Sequence, residues 1–166
     1  QKSTTPTGIL AHKTRSDTLE HSEMLFMGDS YLSENGTKEG VYLKMYGRKL
    51  YQYALNHVPG AIRACLHKSG IPLSEIKKVL IHQANGKMDD AILNRLYKLE
   101  DDLSVPVDVM PMTISWLGNS SVATVPTLLD LILKNELDGH QIEKGDKIIF
   151  ASVGAGMNIN AMVYQA

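Results

Sequence analysis

The chain holds one cysteine in 166 residues, Cys65, which excludes an internal disulfide and a multi-cysteine zinc site. It also lacks an excess of charge of either sign: 17 Lys+Arg against 18 Asp+Glu give a net charge of −1. A nucleic-acid binder needs a basic face, so that class is set aside. No apolar run approaches the ~18 residues of a membrane span. The opening Gln1-Lys2-Ser3-Thr4-Thr5 has none of the apolar character of a signal peptide. An opening Met is absent too, which predicts either a processed chain or a piece of a longer one. What is present is 43% hydrophobic residues. That is enough for one ordinary domain of cytoplasmic type.

Residues 1–40 are polar and carry Gly8, Gly28, Gly36 and Gly40. Gly8-Ile9-Leu10-Ala11-His12 reads as a short strand, Lys13 to Gly40 mostly as loop, with a turn at Asn35-Gly36. So long a loop predicts a surface that packs on something else. The character changes at Val41, which opens a short extended stretch to Met45. Tyr51, Leu55, Val58, Ile62 and Cys65, at spacings of 4, 3, 4 and 3, predict a helix from Gly47 to Ser69. Pro59 should kink it and Gly70 end it. Cys65 on the apolar stripe reads as a buried, inert thiol.

Lys78-Val79-Leu80-Ile81 reads as a strand. A helix over Gly86–Leu99 follows, with Met88, Ile92, Leu96 and Leu99 inward. Val105-Pro106-Val107 is extended, and Gly118-Asn119-Ser120-Ser121 opens a third helix reaching about Asn135. Lys147 to Ala151 is a strand, Gly154-Ala155-Gly156 a tight turn, and Met157 to Tyr164 its hairpin partner. This order predicts an α/β fold with a mixed sheet.

Three places break a purely structural pattern. His82 emerges at a strand's carboxyl end, where α/β folds present functional loops. It reads as a general base, as a hydrogen-bond donor to an oxyanion, or as a satisfied core histidine. Asn119 stands at a helix start, either as an ordinary cap or as an amide that stabilises negative charge. Gly154-Ala155-Gly156 is either a plain hairpin turn or a backbone N–H aimed at an oxyanion. His12, His21, His57, His67 and His140 have no metal-ligand spacing, so no metal is expected.

The ordered set His82-Gln83-Ala84-Asn85, Gly118-Asn119-Ser120-Ser121 and Gly154-Ala155-Gly156 resembles the beta-ketoacyl-acyl-carrier-protein synthase III family of the thiolase superfamily. Met45-Tyr46-Gly47-Arg48 and Ser121-Val122-Ala123-Thr124-Val125-Pro126 extend the likeness, which covers Gly8 to Tyr164. The family is built from two similar halves, and this chain resembles the C-terminal one. The resemblance implies a thiolase-like half-domain with a mixed sheet of the five-stranded type. Residues 41–166 would form that domain, and residues 1–40 would pack on the N-terminal half or the dimer mate.

It further implies condensation of an acyl-CoA primer with malonyl-acyl-carrier protein, with loss of carbon dioxide, to start fatty-acid synthesis. The nucleophilic cysteine would lie in the other half, so this chain alone should be inactive. His82 and Asn119 would serve decarboxylation, each donating to the malonyl thioester oxygen. The Ala155 N–H would join the oxyanion hole. Ala84, Asn85, Tyr51 and Arg48 would bind substrate, and Lys87 and Arg95 would meet CoA phosphate or the acidic carrier protein. No further cofactor, no nucleic acid and no membrane is implied; a homodimer is. Arg48, Tyr51, Lys87, Ala155 and Trp116 depart from the family pattern. Two other readings remain: a related synthase for a secondary metabolite, and a non-catalytic partner that dimerises or binds carrier protein.

Overall fold

Alternation of apolar residues along three central strands decides the architecture. In the computed structural model, which describes residues 7–31, 40–100 and 104–166, Val79 and Ile81 face one core cluster and Leu80 the other. Ile149 and Ala151 likewise oppose Ile148, and Ile159, Ala161 and Val163 oppose Tyr164. A strand with apolar side chains on both faces must be covered on both.

The elements run β1 (Gly8–Ser16), α1 (Thr18–His21), β2 (Leu25–Asp29), β3 (Val41–Met45), α2 (Gly47–Ser69) and β4 (Ile76–Ile81). Then come α3 (Gly86–Leu99), α4 (Ile114–Leu117), α5 (Thr124–Leu133), β5 (Lys147–Gly154) and β6 (Asn158–Gln165). One sheet has the order β1-β6-β5-β4, antiparallel except for the parallel β4–β5 pair. β2 and β3 form a separate antiparallel ribbon. Helices α2 and α3 cover one face through Leu55, Val58, Ile62, Ile92 and Leu96. On the other face α5 seats Leu128 and Ile132 against Leu80 and Ile148, all at most 1% exposed. Each such side chain contributes about 2 kcal/mol on burial.

Helices α2 and α3 have the expected bounds, and Gly70 caps α2 in the left-handed region at φ 71°. The α2 helix continues through Pro59 without a break in its assignment. Pro59 has no N–H for the carbonyl of Leu55, and Arg95 Nη1 donates to that oxygen instead, at 3.0 Å. Cys65 is buried, its thiol 3.5 Å from the Ala161 carbonyl, and burial pushes its pKa up.

Several expectations are corrected. Within the stretch expected to be mostly loop, the described residues 13–31 are mostly regular: β1 runs on to Ser16 because its backbone pairs with β6 as far as Asn158, and α1 and β2 follow. This polar segment shows little apolar periodicity because β1 is an edge strand with most residues exposed. The Asn35-Gly36 turn lies outside the described residues. The sheet is mixed, as expected, with four strands among the described residues, and beyond β4 the Val109 carbonyl accepts from Val79 N–H at 2.8 Å. Leu99, the last residue of α3, is 41% exposed, while Leu93 and Tyr97 are buried in its stead. The third helix begins at Thr124 rather than at the Gly-Asn-Ser-Ser stretch, because Gly118 (φ 66°, ψ −164°) and Ser121 (φ 54°) both lie at positive φ, outside the α-helical region.

Candidate active site

The sheet face that α5 covers is covered only at one end. The other end opens into a cavity of about 1150 Å³ between β6, the β2–β3 ribbon and the loop before α5. His82, Ala84, Asn119 and Ala155 all line it, alongside apolar Leu25, Leu43 and Val125.

His82 follows β4 directly, and its N–H donates to Ala151 O at 3.0 Å, extending the β4–β5 ladder by one residue. Its Nδ1 lies 3.1 Å from the Ser121 carbonyl. A carbonyl only accepts, so the neutral ring that satisfies this contact carries its proton on Nδ1 and keeps a lone pair on Nε2. Burial holds the imidazole below its usual pKa, favouring that neutral form. This tautomer leaves the Nε2 lone pair as the group His82 presents, and the expected donation needs the proton on Nε2 instead.

Asn119 Oδ1 accepts from Ser121 N–H at 2.9 Å, closing a turn within its own stretch. The amide nitrogen is thereby left as the group Asn119 can present. Ser121 thus serves both side chains: its N–H fixes the Asn119 amide and its carbonyl faces His82, while Thr124 Oγ1 donates to the same carbonyl at 3.0 Å.

Gln83 was legible only as part of a motif, yet it is 0% exposed and ties the site together. Its Nε2 donates to Pro111 O at 2.8 Å, and its Oε1 accepts from the N–H groups of Thr113 and Ile114 at 2.9 and 3.0 Å. This amide joins the strand end bearing His82 to the segment leading through α4 to Asn119. A polar residue two positions beyond buried Ile81, just past a strand end, is the signal for it.

The Ala155 turn closes the β5–β6 hairpin, with Gly154 opposite Asn158. Gly156 is left-handed (φ 72°), and a Cβ there would meet Asn158 Nδ2 at 2.8 Å, so glycine is needed on two counts. Nearby Tyr53 is buried, and desolvation together with the Asp17 carboxylate pushes its hydroxyl up to about 12, keeping it a proton donor.

The remaining expected site residues do not line the cavity. Asn85 caps α3, accepting from Met88 N–H at 3.3 Å. Arg48 and Lys87 are exposed, and Tyr51 is 38% exposed at the outer end of α2. Arg95 is exposed, and its Nη1 donates to Leu55 O and, at 2.8 Å, to Asn56 Oδ1. Behind the site, Asp89 of α3 is fully buried with neither carboxylate oxygen hydrogen-bonded. Burial, with Asp90 adjacent, raises it to about 7. Among the described residues no cluster of metal-ligating side chains occurs, and no helix is long and apolar enough to cross a membrane.

Comparison with known proteins shows the family and the fold. Residues 66–166 match the family model described as 3-Oxoacyl-[acyl-carrier-protein (ACP)] synthase III C terminal. The chain is 31% identical over 163 residues to the beta-ketoacyl-[acyl-carrier-protein] synthase III of Thermosynechococcus vestitus, covering 95% of this chain and 46% of that protein. The chain spans less than half the length of the curated relatives it matches. Among solved structures, the 3-oxoacyl-[acyl-carrier-protein] synthase III of Aquifex aeolicus superposes with a TM-score of 0.76 at 24% identity, over 100% of this chain and 47% of that one. The priming beta-ketosynthase of the R1128 polyketide pathway superposes at 0.77 and 23%, over 98% and 46%. These two likenesses show the fold.

Proposed function

The chain belongs to the 3-oxoacyl-[acyl-carrier-protein] synthase III family as a C-terminal half, and from that premise we propose a reaction for the full-length protein. It joins an acyl-CoA primer to malonyl-acyl-carrier protein by decarboxylative Claisen condensation, starting fatty-acid synthesis in the cytoplasm. The observation that carries this reading is the meeting of His82, Asn119 and Ala155 on one cavity. An N-terminal half covers the open face and supplies the nucleophilic cysteine, and the whole enzyme forms a homodimer. Cys65, buried with a raised pKa, is unsuited to that part.

The upstream thiol passes its proton to Nε2 of His82. The thiolate attacks the primer thioester, whose carbonyl oxygen takes negative charge beside the Ala155 N–H. The adduct collapses, and the departing CoA sulfur recovers the proton from His82. The malonyl thioester then loses carbon dioxide, and the electron pair forms an enolate whose oxygen is held by the Asn119 amide. The enolate carbon attacks the acyl-enzyme carbonyl, and the cysteine thiolate leaves. A donor of this kind is worth about 3 kcal/mol in the transition state. Exposed Lys87 and Arg48 are left to meet CoA phosphates or the acidic carrier protein.

Labelled acetyl-CoA tests this. Label on the full-length protein and none on this chain alone is the expected result; label on Cys65, or none on the full-length protein, sinks it. The R1128 likeness favours one second reading, a synthase of the same mechanism that primes a secondary metabolite. Turnover with primers other than acetyl-CoA separates the two.

A further inference from the structure

The turn bearing Ala155 holds two successive left-handed residues, Gly156 (φ 72°) and Met157 (φ 49°). For methionine that conformation costs about 1 kcal/mol or more, and it persists only where the surroundings impose it. Here each of the three carbonyls in the turn has its own anchor. Ala155 O accepts from Asn158 Nδ2 at 3.1 Å, and Gly156 O from Thr18 Oγ1 at 2.5 Å. Met157 O accepts from Asp17 N–H at 3.1 Å and lies 3.1 Å from the Tyr53 hydroxyl.

Tyr53 has a single proton, shared between Met157 O and the Asp17 carboxylate at 2.8 Å. That carboxylate is itself held by Arg15 Nε at 2.7 Å. Thr18 Oγ1 lies 2.9 Å from Ser16 Oγ, a donor that completes the threonine's bonding. Asn158 alone belongs to the turn's own hairpin. Thr18 and Asp17 come from the N-terminal segment, and Tyr53 comes from α2.

The Ala155 N–H sits between the end of the β5–β6 ladder at Gly154 and the first anchored carbonyl, that of Ala155 itself. Its direction therefore follows from how firmly the turn is held.

We propose that Thr18 and Tyr53, with Asp17, are positioning residues that hold this strained turn so that the Ala155 N–H stays aimed at the acyl carbonyl oxygen. This rests on the reading of Ala155 as an oxyanion donor. Transition-state stabilisation by a fixed donor is steep in geometry, so a loosened turn slows acyl transfer. Decarboxylation, served by the separate Asn119 turn, is spared.

The test uses Thr18→Val, Thr18→Ser and Tyr53→Phe in the full-length enzyme. Thr18 is exposed, so its valine variant carries little risk to folding. Amide hydrogen exchange at residues 155–157 is measured beside both half-reactions. Thr18→Val and Tyr53→Phe should speed that exchange and lower the rate of acylation by acetyl-CoA about tenfold at unchanged KM. Malonyl decarboxylation should stay within about twofold, and Thr18→Ser should restore the wild-type values. Unchanged exchange, or both half-reactions falling in parallel, overturns the proposal. A wild-type enzyme that takes no acyl label sinks the functional reading instead, and exchange at 155–157 then decides the brace on its own.

Discussion

The turn that carries Asn119 is wired from within, Oδ1 of Asn119 accepting from the N–H two residues on, whereas the turn that carries Ala155 is held by Thr18 and Tyr53, 138 and 104 residues from their partners in the chain. Both place strained backbone at the cavity, at Ser121 (φ 54°) in one and at Gly156 and Met157 in the other. The first needs only its own short stretch and the neighbouring His82 strand to keep its shape. The second depends on the register of β1 against β6, where Ser16 opposite Asn158 brings Asp17 and Thr18 to the turn. A locally wired turn can survive loss of a distant element; an externally braced one cannot.

The largest expected effect separates chemistry from wiring at the first turn. Asn119→Asp keeps an oxygen for Ser121 N–H but removes the donor, so malonyl decarboxylation should fall by on the order of 10²- to 10³-fold with the melting temperature retained. A parallel loss of stability would mean that Asn119 acts only as a turn former. Next comes the link beneath that turn. Gln83→Met leaves Pro111 O and two N–H groups without partners, which should cost about 3 kcal/mol in urea unfolding. A cost near zero would show that the segment before α4 is held by other means.

A pair of glycines then sharpens the contrast. Gly118→Ala and Gly156→Ala both place a side chain at positive φ, but Gly118 (ψ −164°) sits where only glycine is at ease, with nothing within 4 Å of a Cβ, whereas Gly156 (ψ 8°) is left-handed and its Cβ would meet Asn158 Nδ2 at 2.8 Å. Gly118→Ala should therefore lose at least about 1 kcal/mol to backbone strain alone, while part of the Gly156→Ala loss should vanish in an Asn158→Ala background, both read by denaturant midpoint. A Gly156→Ala loss unchanged in that background would mean that Asn158 swings aside freely. The smallest effect is on pH. His82 has a folded pKa lowered by burial, so its contribution to stability is complete above the unfolded value near 6.5 and is lost as pH falls toward the folded value. His82→Asn should flatten that acid limb of the stability curve, and an unchanged limb would place the sensitivity elsewhere.

Legibility followed the same division. Helix α3 could be bounded because its apolar spacing lies within a few positions, while its Asn85 cap emerged only in the structure. His82, Asn119 and Ala155 stood out because each ends or begins an element, and they do meet on one cavity. Residues 13–31 were misread as loop because an exposed edge strand carries no apolar alternation to read. The bond from Arg95 to Leu55 O was not legible because the carbonyl that it satisfies is left free by Pro59, on a different helix.

What the sequence determined by itself is therefore local: the bounds of α2 and α3, the strands at residues 78–81 and 147–151, and the tight turn at Gly154-Ala155-Gly156. These rest on periodicity and on hydrogen bonds spanning a few residues. Tertiary structure decided that β1 continues to Ser16, that Gln83 joins the His82 strand to the loop before α4, and that Asp17, Thr18 and Tyr53 hold the Ala155 turn. Each of those depends on pairing between residues distant in the chain, and strand register brings such partners together only once the sheet has formed.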